Sequence, residues 1–338
     1  MIEAYLANLH RQGKPTAKDA RYMLEKYVTK AYPLLAEKKV HQVVIEDISE
    51  VLRQMIKDGL TTSVNRTRSF LHAAFAFGLK ADHDPRHQLE HGSRFHLQHN
   101  PVSAIPRQAD FEKTRDRTLS IEEVNSLWHE VMNVNKLGRI IGLFIRFMLA
   151  TGGQRPKQLL ASGWDRYDTF RKTLLVDDTK GRGGNREHLI PLTDRALAII
   201  EEVRELTADY PWPFATNHNA PIRLDSLSTA FTRYCDALEA EAKAAGTPTP
   251  ERFTAKDIRR TAHYLMVDAG LTREQRNLLQ NHAQTGIDTR HYNRHDQLPE
   301  KREAIRKYDA WLSKIIDGKA SKLVDLDQYR QSTSSVKK

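Results

Sequence analysis

The sequence predicts a mainly α-helical protein with a small β-hairpin, an α+β fold class, arranged as two domains. Apolar residues recur at helical spacing along most of the chain, and only two short runs have the character of strands. A charged stretch that is nearly free of apolar residues, from Arg107 to Arg117, separates the first third from the rest. With 338 residues, each part is long enough to bury a core of its own.

The N-terminal part, residues 1–110, is predicted to be a small bundle of helices. No strand pattern occurs in its first 80 residues, whereas helical periods do. One such period is formed by Ile48, Val51, Leu52 and Met55. A further helix is predicted to begin near Thr62, and Arg66 and Arg68 follow in its first turns. These two arginines are candidate contacts to DNA phosphates, although a solvated helix face explains them equally well.

Residues 111–118 are predicted to be the linker between the domains. The prolines Pro101 and Pro106 break helices upstream of it. This region is also rich in histidine, with His83, His87, His91, His96 and His99. Their spacing fits no usual ligand pattern and no cysteine lies among them, so we interpret the region as a polar loop and predict no metal site.

Residues 119–317 are predicted to form the second domain, followed by a tail at 318–338. Ser120 to Glu123 has the pattern of a capping box, and Ile140–Ala150 is predicted to be a buried helix. Two strand-like runs, Thr173–Asp177 and His188–Leu192, predict a β-hairpin with a basic, glycine-rich tip. The remainder is predicted to be helical.

Composition favours a polyanionic partner. The chain has 53 Lys and Arg against 43 Asp and Glu, a net charge of +10. Residues 1–117 contain 19 basic and 14 acidic residues, so both halves of the chain carry the same excess. Cys235 is the only cysteine, which excludes an intramolecular disulfide. No secretory signal or membrane-spanning segment is recognisable, and we expect a cytoplasmic protein without membrane contact.

Four short segments contain side chains suited to phosphodiester chemistry. They are Thr151–Arg155, Lys256–Arg259, Leu278–His282 and Arg290–Tyr292. A guanidinium fork binds two phosphate oxygens and stays charged. A phenol, with a pKa of about 10, is a poor nucleophile unless positive charge surrounds it. Two arginines, a histidine and a tyrosine in this order therefore predict DNA cleavage through a phosphotyrosine, with neither metal nor cofactor.

These segments resemble the motifs of the tyrosine recombinase (phage integrase) family, and in particular those of prophage and genomic-island integrases. The resemblance covers roughly residues 120–315, whereas residues 1–110 match only as a helical core-binding type of domain. It implies a two-domain clamp around DNA with the tyrosine recombinase catalytic fold.

The resemblance also implies a role for each residue. Arg155 and Arg259 would clamp the scissile phosphate, and Lys180, at the tip of the hairpin, would protonate the leaving 5′ oxygen. His282 would hold a phosphate oxygen, and Tyr292 would be the nucleophile.

Three positions depart from the family's pattern. Lys256 stands where the second motif usually begins with histidine, and it shares a helix face with Arg259, so we include it among the catalytic residues. Gln158 replaces the acidic residue that usually follows the first arginine. Gln280-Asn281 stands where a glycine is common.

Each of these residues taken alone has an ordinary structural explanation, such as a helix end, a solvated loop lysine or a core tyrosine. Their order is harder to produce by accident. The separations are 25, 79, 23 and 10 residues between Arg155, Lys180, Arg259, His282 and Tyr292. The combination therefore carries the prediction.

The sequence thus predicts a site-specific recombinase that integrates or excises a phage or mobile element through a 3′-phosphotyrosyl intermediate. Arg182 and Arg260 are further candidate DNA contacts. The resemblance implies a homotetramer on two double-stranded DNA sites in a bacterial nucleoid, helped by an accessory DNA-bending protein. A C-terminal segment, Lys314–Tyr329, would dock on a neighbouring protomer.

Two other function classes remain open. A type IB topoisomerase would use the same phosphotyrosine chemistry to relax supercoils as a monomer. A non-catalytic DNA-binding regulator would have kept only the fold.

Overall fold

A computed structural model describes residues 1–85, 94–112, 115–178, 186–281 and 297–320. The chain divides into two compact units, Met1–Arg115 and Asp116–Lys338. The described residues are mostly helical and include one three-stranded antiparallel sheet. The predicted α+β class is therefore confirmed. The boundary between the units falls within residues 111–118, where the sequence predicts a linker.

The first unit is a set of helices packed around one apolar core. Its helices are α1 (Ile2–Arg11), α2 (Ala17–Leu24), α3 (Pro33–Glu37), α4 (Ile45–Lys57) and α5 (Thr62–Ala81). The helical period predicted within α4 supplies its buried face, and α5 begins at the predicted residue. A π-helical turn, Glu25–Thr29, continues α2, and 3₁₀ turns occur at Val40–Gln42 and Ala109–Phe111.

The segment after α5 folds back onto that helix. Val102 is fully buried in the core of the first unit. The Asn65 side chain donates to the carbonyl oxygen of Gln108 (2.7 Å), and Arg68 Nε donates to that of Ile105 (2.6 Å). Two side chains of α5 thus donate hydrogen bonds to backbone carbonyls within residues 94–112. This irregular segment is therefore a packed part of the unit.

The second unit contains the sheet and the described helices from residue 121 onward. Its helices are α6 (Ile121–Glu130), α7 (Arg139–Ala150), α8 (Pro156–Ala161), α9 (Asp194–Thr207), α10 (Leu224–Ala245), α11 (Ala255–Asp268), α12 (Arg273–Leu279) and α13 (Leu298–Ile316). The predicted capping box is confirmed at the start of α6: Ser120 Oγ accepts from the backbone N–H of Glu123, whose carboxylate accepts from that of Ser120 (3.2 and 2.8 Å).

The sheet has strand order β1-β2-β3. Its strands are β1 (Tyr167–Asp168), β2 (Thr173–Asp178) and β3 (Arg186–Pro191). The predicted hairpin is confirmed as β2 and β3, with Val176 opposite His188. The structure places its strand ends one or two residues nearer the tip than predicted. The sequence did not predict β1, which has only two residues and no recognisable alternation.

Helix α7 is the centre of the second unit. It is buried along almost its whole length, and no helix in the described residues is long and apolar enough to cross a membrane. Tyr308 of α13 is also buried, and its hydroxyl donates to the Leu149 carbonyl oxygen (2.9 Å). The last described helix is thereby fixed to the end of α7.

A glycine turn joins α7 to α8 and lies directly against α11. Gly152 and Gly153 have φ angles of +73° and +69°, which favour glycine. A Cβ atom on Gly153 would lie 2.8 Å from Arg259 Cα and 2.8 Å from Ala262 Cβ. Both backbone conformation and space therefore require glycine here, and the close approach sets the distance between the turn and α11.

Replacing Gly153 with alanine should destabilise the second unit by roughly 2–4 kcal/mol. The left-handed conformation costs about 1–2 kcal/mol, and crowding against backbone adds a comparable amount. Urea unfolding followed by circular dichroism measures the loss.

Gly270→Ala is the matched control. Gly270 has a similar φ of +75°, but no heavy atom of the described chain would lie within 4 Å of its added Cβ. It should cost only about 1–2 kcal/mol, the cost of the left-handed conformation. Equal losses in the two variants would show that the approach to α11 is not tight.

Candidate active site

Arg155 is placed by the glycine turn at the start of α8. It is the N-cap residue of that helix, and Pro156 occupies the first helical position. The preceding Gln154 is buried and donates to the carbonyl oxygens of Thr151 (3.1 Å) and Leu279 (2.8 Å). The turn is thus tied to the end of α12. The Arg155 guanidinium remains partly accessible, and its Nη1 is buried without a hydrogen bond in the described part of the chain.

Arg259 lies on α11 and is held by two backbone carbonyls. Its Nη1 donates to Gly153 O (2.8 Å), and its Nη2 donates to Gln280 O (2.5 Å). A guanidinium has five N–H groups, so these bonds fix its position while leaving donors for a ligand. The residue therefore links the segments of the first and third predicted motifs.

The two arginines are close enough to repel each other. Burial lowers the pKa of Arg259 to about 10, and the positive charge of Arg155 contributes to this decrease, while Asp178 opposes it. Arg259 nevertheless stays charged at neutral pH. Two adjacent cations in a partly buried site favour an anion that bridges them.

Gln280 connects the first three of the four predicted motifs. Its side chain is buried and donates to the carbonyl oxygens of Gly152 (3.0 Å) and Arg259 (3.1 Å). Its own carbonyl oxygen accepts from Arg259. One amide thereby fixes the glycine turn, α11 and the end of α12 relative to each other.

Asn281 follows with a φ of +48°, a left-handed conformation that asparagine tolerates better than most residues. The departure from glycine is thus accommodated at this position. Its side chain also gains a contact that glycine lacks: Nδ2 donates to Asp178 Oδ2 (2.7 Å).

Asp178 is a site residue that sequence reasoning missed. It is the last residue of β2, it is buried, and its Oδ2 lies 3.5 Å from Arg155 Nη1. The position usually occupied by an acidic residue in the family holds Gln158, so the sequence did not indicate which carboxylate would lie beside Arg155. The only available signal was an acidic pair, Asp177 and Asp178, at the end of a strand that leads to Lys180.

The second motif contains two further cations, Lys256 and Arg260, whose surroundings differ from those of Arg259. Lys256 is exposed in the first turn of α11, one turn before Arg259. Arg260 Nη1 donates to Asp257 Oδ1 (2.8 Å) and to the Arg117 carbonyl oxygen (3.0 Å). These bonds favour a structural role for Arg260 over the predicted DNA contact.

The remaining sequence-predicted residues fall into two groups. In the first unit, Arg66 forms an exposed ion pair with Asp19 (2.7 Å), and Arg68 supports the chain at Ile105 as described above. The second group lies outside the described residues and comprises Lys180, Arg182, His282 and Tyr292. Of the histidine-rich loop, His87 and His91 also lie outside them, and the described residues contain no group of three or more potential metal ligands.

His188 forms a second connection, on the opposite strand of the hairpin. Its buried ring donates from Nε2 to the Leu279 carbonyl oxygen (3.1 Å). The buried ammonium of Lys301, from α13, donates to the Leu189 carbonyl oxygen (3.0 Å) and lies 3.4 Å from His188 Nδ1. Burial, together with the charge of Lys301, lowers the pKa of His188 to about 3.

We expect His188 to make the second unit acid-sensitive. In the unfolded chain a histidine titrates near pH 6.5, whereas the folded pKa is about 3. Between these values the unfolded state binds more protons, so stability is full above pH 6.5 and falls as the pH decreases towards 3. The loss approaches about 1.4 kcal/mol per pH unit.

Comparing His188→Gln with wild type in urea unfolding from pH 7 to pH 4 measures this contribution. The variant should be less stable at neutral pH and show a flatter acid dependence. His218→Gln, at an exposed position, controls for the loss of one histidine. A wild-type slope in His188→Gln would exclude His188 as the source.

Comparison with known proteins identifies the fold and the family. The sequence model of the phage integrase family matches residues 117–298, which is more than half of the chain. No sequence among the curated proteins matches significantly.

Solved structures of integrases share the architecture. A lambda integrase (75–356) dimer bound to a COC′ core site is 18% identical, with a TM-score of 0.60 over 87% of this chain and 97% of that one. A lambda integrase tetramer bound to a Holliday junction is 18% identical, with a TM-score of 0.61 over 85% and 77%.

The Tn1549 transposon integrase (aa 82–397) in complex with circular intermediate DNA is 16% identical, with a TM-score of 0.59 over 89% of this chain and 97% of that one. At these identities the similarity concerns the fold, whereas the sequence model covers the segments that contain Arg155 and Arg259. The chain belongs to the phage integrase family, the tyrosine recombinases.

Proposed function

We propose that this protein is a site-specific DNA recombinase that cleaves and rejoins duplex DNA through a 3′-phosphotyrosyl intermediate. The observation that carries the proposal is the pair formed by Arg155 and Arg259. Arg259 is held by Gly153 and Gln280, and the charge of Arg155 adds to burial in lowering its pKa. Arg155 Nη1 lies beside Asp178, so a scissile phosphate would accept from the remaining donors of both guanidinium groups.

The geometry suits a phosphoryl transition state. Negative charge increases on the non-bridging oxygens as the nucleophile attacks, so donors must already be in place. The Arg259 guanidinium is fixed by Gly153 and Gln280 before any substrate arrives. This arrangement avoids the reorganisation that flexible surface cations would require.

The reaction we propose uses Tyr292 as the nucleophile. The phenol gives its proton to solvent water as its oxygen attacks the phosphorus, the bond to the 5′ oxygen breaks, and Lys180 gives a proton to that leaving oxygen. His282 would hold a phosphate oxygen, and exposed Lys256 would add positive charge beside Arg259. Attack by the released 5′ hydroxyl on the phosphotyrosine reverses the step, so the bond energy is conserved without a metal or a cofactor.

We further propose that double-stranded DNA is the substrate of a homotetramer that joins two sites, integrating or excising a phage or mobile element. The lambda integrase structures contain a dimer on a core site and a tetramer on a Holliday junction. The Lys314–Tyr329 segment would contact a neighbouring protomer. Residues beyond Ala320 lie outside the described part of the chain.

An accessory DNA-bending protein belongs to the same proposal, because bending a 20–30 bp site costs on the order of 1–6 kcal/mol. Chromosomal sites of this kind would place the protein in the bacterial cytoplasm, at the nucleoid.

A nicked suicide duplex tests the chemistry. A binding site can be selected from random duplexes with the Tyr292→Phe variant, which should bind DNA like the wild type. On a suicide duplex of that sequence, the wild type should become covalently attached, and Tyr292→Phe should attach nothing. Denaturing gel electrophoresis detects the adduct.

Failure of the wild type to attach would contradict the phosphotyrosine mechanism and leave a non-catalytic DNA-binding protein. Attachment accompanied by relaxation of any supercoiled plasmid, without recombination of two selected sites, would instead identify a topoisomerase.

Inorganic phosphate tests the paired arginines without DNA. At about ten times its dissociation constant, phosphate should stabilise the wild type by roughly 1.4 kcal/mol. In a protein of this size that corresponds to a rise of a few degrees in Tm. Arg259→Gln should lose most of this increase. Differential scanning fluorimetry in phosphate and in chloride, at equal ionic strength, measures it.

Arg260→Gln is the matched control. It removes the neighbouring cation, which is paired with Asp257, and should keep the wild-type response to phosphate. Equal responses in Arg259→Gln and wild type would show that the anion binds elsewhere.

A further inference from the structure

The buried carboxylate of Asp178 lies where three parts of the candidate active site meet. Its Oδ2 lies 3.5 Å from Arg155 Nη1 and accepts a hydrogen bond from Asn281 Nδ2 (2.7 Å). Along the chain, Asp178 is two residues before Lys180, and Asn281 directly precedes His282. One carboxylate is therefore connected to the phosphate clamp, to the root of the hairpin and to the third motif.

We propose that Asp178 is a positioning residue for the cleavage reaction, with Asn281 as its partner, and that this pair orients Arg155 towards the scissile phosphate. The proposal rests on the recombinase function proposed above. Asp178 does not contact the reacting atoms in this role; it acts through Arg155.

Charge explains why a carboxylate is needed. Arg155 begins a short helix, and its buried Nη1 makes no hydrogen bond in the described chain, so the ion pair with Asp178 is what holds this end of the guanidinium. The Asp178 carboxylate attracts the guanidinium from one side. Asn281 donates a hydrogen bond to the same carboxylate oxygen and thereby holds the carboxylate in place. The other N–H groups of Arg155 are left for phosphate.

Two departures from the family's pattern, at Gln158 and Asn281, support the role of Asp178 beside Arg155. Gln158 supplies no charge near Arg155 from α8, and its Oε1 is buried without a hydrogen bond in the described chain. The acid is supplied by the strand instead. Asparagine at 281 adopts the left-handed conformation and adds the amide that holds this acid.

Asp178→Asn removes the charge and nearly preserves the shape. We expect single-turnover cleavage of the suicide duplex to slow by about 10- to 100-fold, because Arg155 loses the charged partner that orients it. DNA affinity and the urea midpoint should stay near wild type. Phosphate should bind equally well or more tightly, because a negative charge beside its site is gone.

Asp177→Asn is the control. Asp177 is the neighbouring strand residue, and its carboxylate pairs with Arg166 (3.0 Å). Its replacement should leave the cleavage rate unchanged.

A double-mutant cycle with Arg155→Lys decides whether Asp178 acts through Arg155. If it does, the double variant should cleave much faster than the product of the two single effects predicts. Multiplicative effects would overturn the proposal, and so would a wild-type rate in Asp178→Asn.

Asn281→Gly keeps the test decisive if Asp178→Asn fails to fold. Glycine suits the backbone at this position and removes only the amide. It should slow cleavage severalfold, and a wild-type rate would refute the role of the pair. A wild type that forms no adduct would reject the recombinase function itself, which is a different outcome from equal adduct formation by wild type and variants.

Discussion

The second unit is organised around two guanidinium groups that must lie close together despite their mutual repulsion. Arg259 is fixed by carbonyls of the glycine turn and of Gln280, while Arg155 follows that turn directly. Three segments distant in sequence must therefore converge to within hydrogen-bonding distance. Three features hold these segments together. Helix α7 is buried, Gly153 packs closely against α11, and the Tyr308 hydroxyl donates a hydrogen bond to the end of α7.

Placing two cations together in a partly buried site costs free energy in the absence of a ligand: burial, and after it the charge of Arg155, lowers the pKa of Arg259. An anion that binds between the two guanidinium groups recovers this free energy, which favours binding. Under the proposed function, a phosphate whose charge increases in the transition state would regain more than one in its ground state, so the arrangement would assist the reaction as well as binding. The apolar core thus stabilises a site in which two cations lie beside one carboxylate, that of Asp178.

Local patterns predicted much of this arrangement. The capping box at Ser120, helix α7 and the β2–β3 hairpin each depend on neighbouring residues, and all three were recognisable in the sequence. Arg155 and Arg259 were recognisable from their order and separation, and the structure brings them together.

Contacts between distant segments were not predictable in this way. Asp178 is ordinary in sequence and acquires its position only because β2 ends beside the glycine turn. Conversely, Arg68 looked available for DNA, yet a carbonyl 37 residues away accepts its hydrogen bond. Backbone partners alone do not decide the role of a basic residue, because Arg259 also donates to two backbone carbonyls. Arg259 and Lys256 differ in their environment: the first is desolvated and fixed, whereas the second is exposed to water. Because preorganised charge is worth more than solvated charge, the proposed phosphate contacts would depend mainly on the arginines, and a lysine would be tolerable where the family usually has histidine.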